Sequence, residues 1–241
     1  MNPIYQTNSL QEKISILRDL KKQMGFTFPF LVIKRVIQLY YYKLFKNRKF
    51  SLNGEDYPYY YALYNGTFLK ERAVEIPLVM KYVNDFKGKN ILEIGNVLSH
   101  YIAFTHDIVD KYEKAEGVNN IDIIEYIPHV KYDLIISIST FEHIGWDEIP
   151  QEKGKILIAL NKLKGMMNPG AKAILTLPLG HNGYFDGILK NNLFEFDEKY
   201  FLKRITKDNQ WIQVDYASLG EVKYNHPFQN ANVLFIGIIK N

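Results

Sequence analysis

Two histidines and a small set of acids carry the chemistry this sequence can do. His143 lies in "STFEHIGWDE" and His181 in "LTLPLGHN", each just past an apolar run. An imidazole titrates near neutrality, so a histidine delivered to a cleft can take a proton from a nucleophile. Glu142 can orient the His143 ring. The same pair can equally cap and fix a loop, and His181 can equally be a turn residue at the surface. Glu93 and Gly95 stand in "NILEIGNVLSH", where an apolar run meets an acid and one glycine. A glycine there lets backbone approach a ligand, and the amides from Asn96 onward can face polar groups. An ordinary turn has the same pattern. Asp110, after "HDIV", can accept two hydrogen bonds from a ribose diol, or stand as a solvated acid beside Lys111. Asp122, in "NNIDIIEY", can accept from an adenine amino group or cap a turn. No group of histidines and carboxylates has clear metal-ligand spacing, so no required metal is expected.

The elements that must position these residues alternate. Pro77 suits the first turn of a helix running to about Phe86, with Val79, Tyr82, Val83 and Phe86 on one face, and Gly88 stops it. Asn90–Ile94 and His106–Val109 read as short strands. "YDLIISIS" is a strand with an apolar run suited to cover on both faces. Residues 152–167 read as a helix with Ile156, Leu160, Leu163 and Met167 inward, ended by Asn168-Pro169-Gly170. "AKAILTLP" is the next strand, and "WIQVDYASL" and "NVLFIGIIK" form an antiparallel pair. Strands alternating with helices predict a parallel sheet covered on both faces, with its ligand site past the carboxyl ends of the strands.

The chain of 241 residues has no cysteine, which excludes disulfides and thiolate metal sites and is compatible with a reducing compartment. No basic start followed by an apolar stretch marks a signal peptide, and no run reaches a membrane span. A cytoplasmic location is expected. The net charge of +4 hides an asymmetry: residues 12–49 hold ten Lys and Arg against two acids, a net +8, leaving −4 for the rest. Residues 9–50 read as helical with a break near Gly25 and Pro29, and Ile33, Val36, Ile37, Tyr40, Tyr41 and Leu44 recur at helical spacing. A turn-rich, tyrosine-rich stretch follows over residues 51–70. The boundary is placed there: a helical basic and aromatic extension over 1–70, and an α/β domain over 71–241.

The ordered set "NILEIG", "IVD", "NNIDI", "YDLIISISTFEHI", "MMNPGAKAILTLP" and a final strand pair resembles the class I S-adenosylmethionine-dependent methyltransferases, over about Glu71 to Lys240. The resemblance implies a Rossmann-like, doubly wound sheet with antiparallel last strands, and S-adenosylmethionine as cofactor. It puts Glu93, Gly95 and Asn96 in the first cofactor loop, by the methionine part. It makes Asp110 the ribose anchor, sets Asp122 by the adenine and sets Ser139 at the methionine end. Further glycines common in the family are replaced here by Asn96, Val97 and Leu98.

Methyl transfer from a sulfonium is an in-line displacement, so the protein must align a nucleophile and exclude water. A hydroxyl nucleophile also needs a base, and His143 is preferred over His181. The aromatic run "YPYYYALY" can stack on sugars, which with the family pattern favours a saccharide or other small hydroxyl acceptor. The basic segment 12–49 suggests an anionic surface, whether membrane headgroups, a lipid-linked pyrophosphate sugar or nucleic acid, or else a solvated helical face packed on the domain. A catalytically degenerate binding protein and a nucleic-acid methyltransferase stay open as alternatives. The strand end "STFEHI" in place of an Asn/Asp-Pro-Pro-Tyr/Phe motif speaks against the latter.

Overall fold

A computed structural model describes residues 27–46, 48–103 and 105–241. The part of the expected N-terminal helix that precedes Thr27 lies outside the described residues. Helix α1 spans Thr27–Phe45. A hairpin of β1 (Lys49–Leu52) and β2 (Glu55–Pro58) follows, turned at Asn53 and Gly54, both at positive φ. Asparagine and glycine tolerate that left-handed backbone, which a two-residue hairpin turn requires.

The α/β part begins with α2 (Arg72–Asp85). It continues with β3 (Ile91–Ile94), β4 (Asp107–Val109), β5 (Val118–Asn119) and β6 (Tyr132–Ile138). Next come α3 (Lys155–Leu163), β7 (Met167–Pro178) and α4 (Gly183–Lys190). It ends with β8 (Glu198–Arg204), β9 (Trp211–Val214) and β10 (Val233–Lys240). One eight-stranded sheet has the order β5-β4-β3-β6-β7-β10-β8-β9. The strands from β5 to β7 pair in parallel, and β10 runs antiparallel to both β7 and β8. The chain leaves β3 toward β4 and β5, then returns to β6 on the other side. That reversal puts the topological switch point between the carboxyl ends of β3 and β6, where open α/β sheets bind ligands. The fold is a doubly wound, Rossmann-like α/β sheet.

Both faces are covered, as the apolar run of β6 requires. Leu134, Ile136 and Ile138 pack with Ile76 and Val79 of α2. On the opposite face Ile135 joins Ile156, Leu160 and Leu163 of α3. One boundary, one strand and one pairing differ from the pattern reading. Helix α3 ends at Leu163, and Met167 opens β7 rather than closing a helix, because its side chain is buried beneath the sheet core. The strand β8 over "EKYFLKR" was not expected, since its charges mask the alternation. It pairs with both β9 and β10, so those two strands flank it and do not pair with each other.

The hairpin shares a core with the α/β part. Phe50, Leu52, Tyr57 and Tyr59 are buried together with Val74, Leu78, Trp211 and Leu234. Much of the tyrosine-rich stretch is therefore interior packing: Trp211 N donates to Tyr59 Oη at 2.8 Å and Tyr61 Oη donates to Lys46 O at 2.6 Å. Helix α1 differs. Leu39 and Tyr42 are buried against Phe68, while of the stripe read from the sequence Val36 is half-buried and Ile33, Ile37, Tyr40, Tyr41 and Leu44 face outward. Among the described residues no helix is long and apolar enough to cross a membrane.

Candidate functional site

Gly95 ends β3 with φ of 88°, and an added Cβ would collide with the side chain of Thr140. Both the backbone conformation and the close approach of the β6 loop require glycine. The loop beyond it is tied down from below. Glu93 is fully buried; its Oε1 accepts from Val97 N at 2.9 Å and Leu98 N at 2.8 Å, and its Oε2 meets His106 Nε2 at 3.0 Å. Glu93 thus shapes the loop from inside rather than facing a ligand, and two of the amides expected to face outward are already paired. This explains how Asn96, Val97 and Leu98 replace glycines: their backbone is held by a carboxylate. The Asn96 side chain is occupied as well, donating to Glu113 Oε1 at 2.8 Å and accepting from Ser99.

Asp110, one residue past β4, faces this loop. Its Oδ2 accepts from Asn96 N at 3.0 Å, and its Oδ1 accepts from Tyr112 N and Glu113 N, both at 2.8 Å. It sits where a ribose anchor would, half-buried, with lone-pair capacity left on Oδ2. Asp122 departs from its expected role. Its Oδ2 lies 2.9 Å from Lys111 Nζ and 2.7 Å from Lys155 Nζ, and its Oδ1 accepts from Ile124 N. Glu148 completes the cluster, 2.9 Å from Lys111 and 2.7 Å from Lys155. Burial alone would raise the Asp122 carboxyl; the hydrogen bonds from Lys155 and Lys111 outweigh it and hold the group below the usual range. Two ammonium groups claim the carboxylate, so Asp122 belongs to an ion cluster joining the β5 loop to α3 and not to an adenine contact.

Ser139 follows β6 at φ of 39°. Its hydroxyl donates to Glu75 Oε1 at 2.6 Å, and Thr176 Oγ1 donates to the same oxygen at 2.7 Å. Glu75 is paired through its other oxygen with Arg72 of the same helix. This buried knot clamps α2 onto the ends of β6 and β7. Glu71 and Glu142 lie close by, and burial raises both carboxyls. Burial pushes Glu142 well above the usual carboxylate value, and its buried Oε2 has no hydrogen-bond partner. None of Arg72, Glu71 and Glu75 was singled out from the sequence; the i,i+3 spacing of Arg72 and Glu75 was the available sign.

The loops after β6 and β7 bring His143 and His181 together, ring centroids 4.9 Å apart and edge to face. His143 N is bonded to Thr140 O, the residue that abuts Gly95, so the histidines border the switch-point cleft. The partner of His143 is Asp147, at 2.5 Å from Nδ1. Glu142, expected to orient the ring, stands 3.6 Å from Nε2 and is buried. The turn after Thr140 projects residues 143 and 147 to one side, a spacing legible in "HIGWD". His181 lies against Tyr224, its buried Nδ1 has no partner, and burial, then the neighbouring His143, lower its basicity. Ligand atoms of His143, Asp147 and His181 all lie within 4.8 Å of one another, so this trio can also hold a divalent cation, a possibility the spacing argument had set aside.

No family model matches the chain, and no curated protein matches it. Among solved structures, the N-methyltransferase NodS from Bradyrhizobium japonicum WM9 in complex with S-adenosyl-L-homocysteine is similar at 11% identity and a TM-score of 0.43, over 71% of this chain and 87% of that one. A SAM-dependent methyltransferase from Archaeoglobus fulgidus is similar at 15% identity and a TM-score of 0.45, over 74% of this chain and 98% of that one. One from Clostridium acetobutylicum ATCC 824 is similar at 11% identity and a TM-score of 0.37, over 68% and 89% respectively. With such scores these likenesses carry no argument; the Rossmann-like α/β fold rests on the order and direction of the strands.

Proposed function

We propose that the chain is an S-adenosylmethionine-dependent methyltransferase that acts on a hydroxyl of a small acceptor, a saccharide among the candidates. The observation that carries this reading is the His143–Asp147 pair at the mouth of the switch-point cleft, beside the Gly95 and Ser139 loops. Gly95 lets the β3 loop close against Thr140, and Asp110 offers a carboxylate at the rim for a ribose. Bound cofactor supplies a methyl group already activated on a sulfonium.

The chain's own contribution is alignment and proton removal. Asp147 holds the proton of His143 on Nδ1, which leaves Nε2 as the free base. Glu142 stands 3.6 Å from that nitrogen, and its burial disfavours the charged form. An acceptor hydroxyl placed against Nε2 loses its proton as its oxygen attacks, a contribution of roughly 100- to 10,000-fold in rate. His181, kept neutral, packs the ring from the side. The tyrosines of residues 57–64 are largely interior, so support for a saccharide rests on the hydroxyl chemistry and not on a stacking platform.

His143→Ala should lower turnover by ~100-fold or more with little change in cofactor affinity. Asp147→Asn should lower turnover less, by ~10-fold or more. Near-normal turnover in His143→Ala overturns the assignment. The three-ligand cluster favours a second reading, in which a divalent cation activates the hydroxyl. Loss of turnover on treatment with a chelator, restored by Zn²⁺ or Mn²⁺, selects it.

A further inference from the structure

We infer that the outward face of helix α1 docks on an anionic lipid bilayer, lying in the plane of the surface. Phe30, Ile33, Ile37, Tyr40, Leu44 and Phe45 are 55–74% exposed. At 100° per residue they fall within an arc of about 140°, while Leu39 and Tyr42 hold the other side of the helix to the domain. Six large apolar side chains on one exposed helical face is far more than a solvated surface carries, and it marks an interaction site.

Charge selects the occupant. Lys34 is exposed on the stripe and Lys43 flanks it, and the sequence holds no Asp or Glu from Leu20 through Asn53. Lys46 and Arg48, at the helix end, are held by Asp208 and mark where the helix meets the domain. A second copy docking on this face would bring like charges together without an acid on either helix to offset them. Before Leu20 the charges balance, Glu12 and Asp19 against Lys13 and Arg18, and the uncompensated positive charge begins at Lys21 and Lys22. Nucleic acid would meet the cations but gain nothing from Ile33, Ile37 and Leu44. An anionic bilayer answers both features: acyl chains take the stripe, headgroups take the cations, and Tyr40 suits the boundary between them. The inference does not depend on methyl transfer.

The test is co-sedimentation of the full chain with vesicles of phosphatidylcholine alone and of phosphatidylcholine with phosphatidylglycerol. The chain should bind the anionic vesicles, with affinity falling as salt rises. Ile37→Asp/Leu44→Asp should weaken binding by at least ~10-fold. Lys34→Glu/Lys43→Glu should weaken it by ~25-fold or more, at about 5-fold per basic residue. All four positions are exposed, and circular dichroism verifies that both variants stay folded. Absence of binding at low salt, or binding unchanged in both variants, overturns the inference. Dimers in light scattering that Ile37→Asp/Leu44→Asp dissolves, without vesicle binding, assign the face to a second copy and overturn it as well.

Discussion

The carboxylate of Asp110 holds three backbone amides, and it is the residue proposed to anchor a ribose. Its removal therefore has two consequences. Asp110→Ala should weaken S-adenosylmethionine binding by at least ~10-fold, from the loss of a charge-assisted hydrogen bond worth about 1.5–3 kcal/mol. It should also lower the melting temperature, because the loop after β3 loses its tie to the loop after β4. Asp110→Asn keeps an acceptor and should separate the effects, retaining most of the stability while affinity falls. Calorimetry and thermal melts on the two variants check this, and unchanged affinity in Asp110→Ala contradicts the ribose role. At this scale the sequence was informative about residue type and place in the chain, and less so about partners. Gly95, Ser139, His143 and His181 come to one edge because each follows a strand end, which a linear pattern reveals. Glu93 and Asp122 turn away because their partners, two loop amides and two lysines, are fixed by tertiary contacts that no local pattern encodes.

Loops carry the site, and the one after β7 has a titratable support. Gly180 sits at φ of 78°, and its N–H donates to both oxygens of Asp186 in α4, at 3.1 and 3.3 Å. Burial pushes the Asp186 carboxyl up to about 6, against the hydrogen bond from Gly180, which lowers it. The folded state thus holds this proton more tightly than the unfolded chain. The group's contribution to stability is full below the unfolded carboxyl range and is lost as pH rises through about 6. Asp186→Asn mimics the protonated form. It should melt higher than the parent at pH 8 and by a clearly smaller margin at pH 4; an equal offset at both pH values contradicts the account. Strands with unbroken apolar runs, such as β6 and β10, were legible because burial on both faces demands them. β8 was not, since Glu198, Lys199, Lys203 and Arg204 conceal its buried Phe201 and Leu202. For α1 the helix was legible but its buried side was not: the stripe with the best periodicity faces out, because Leu39 and Tyr42 alone meet Phe68.

In the whole molecule, the reversal of strand order at β3 and β6 fixes where a ligand can enter, and the loops there hold Gly95, Asp110, Ser139, His143 and His181. The helix-bearing arm and the hairpin lie on the opposite end of the chain, yet the hairpin core is continuous with α2, whose Glu75 reaches Ser139. The central claim is that this cleft takes S-adenosylmethionine. Isothermal titration calorimetry of the full chain with S-adenosylmethionine tests it most directly. The account predicts saturable binding at a single site, weakened in Asp110→Ala and abolished in Gly95→Val, a substitution that drives a side chain into Thr140. Absence of binding heat from the folded chain, or binding unaffected by both substitutions, would contradict it.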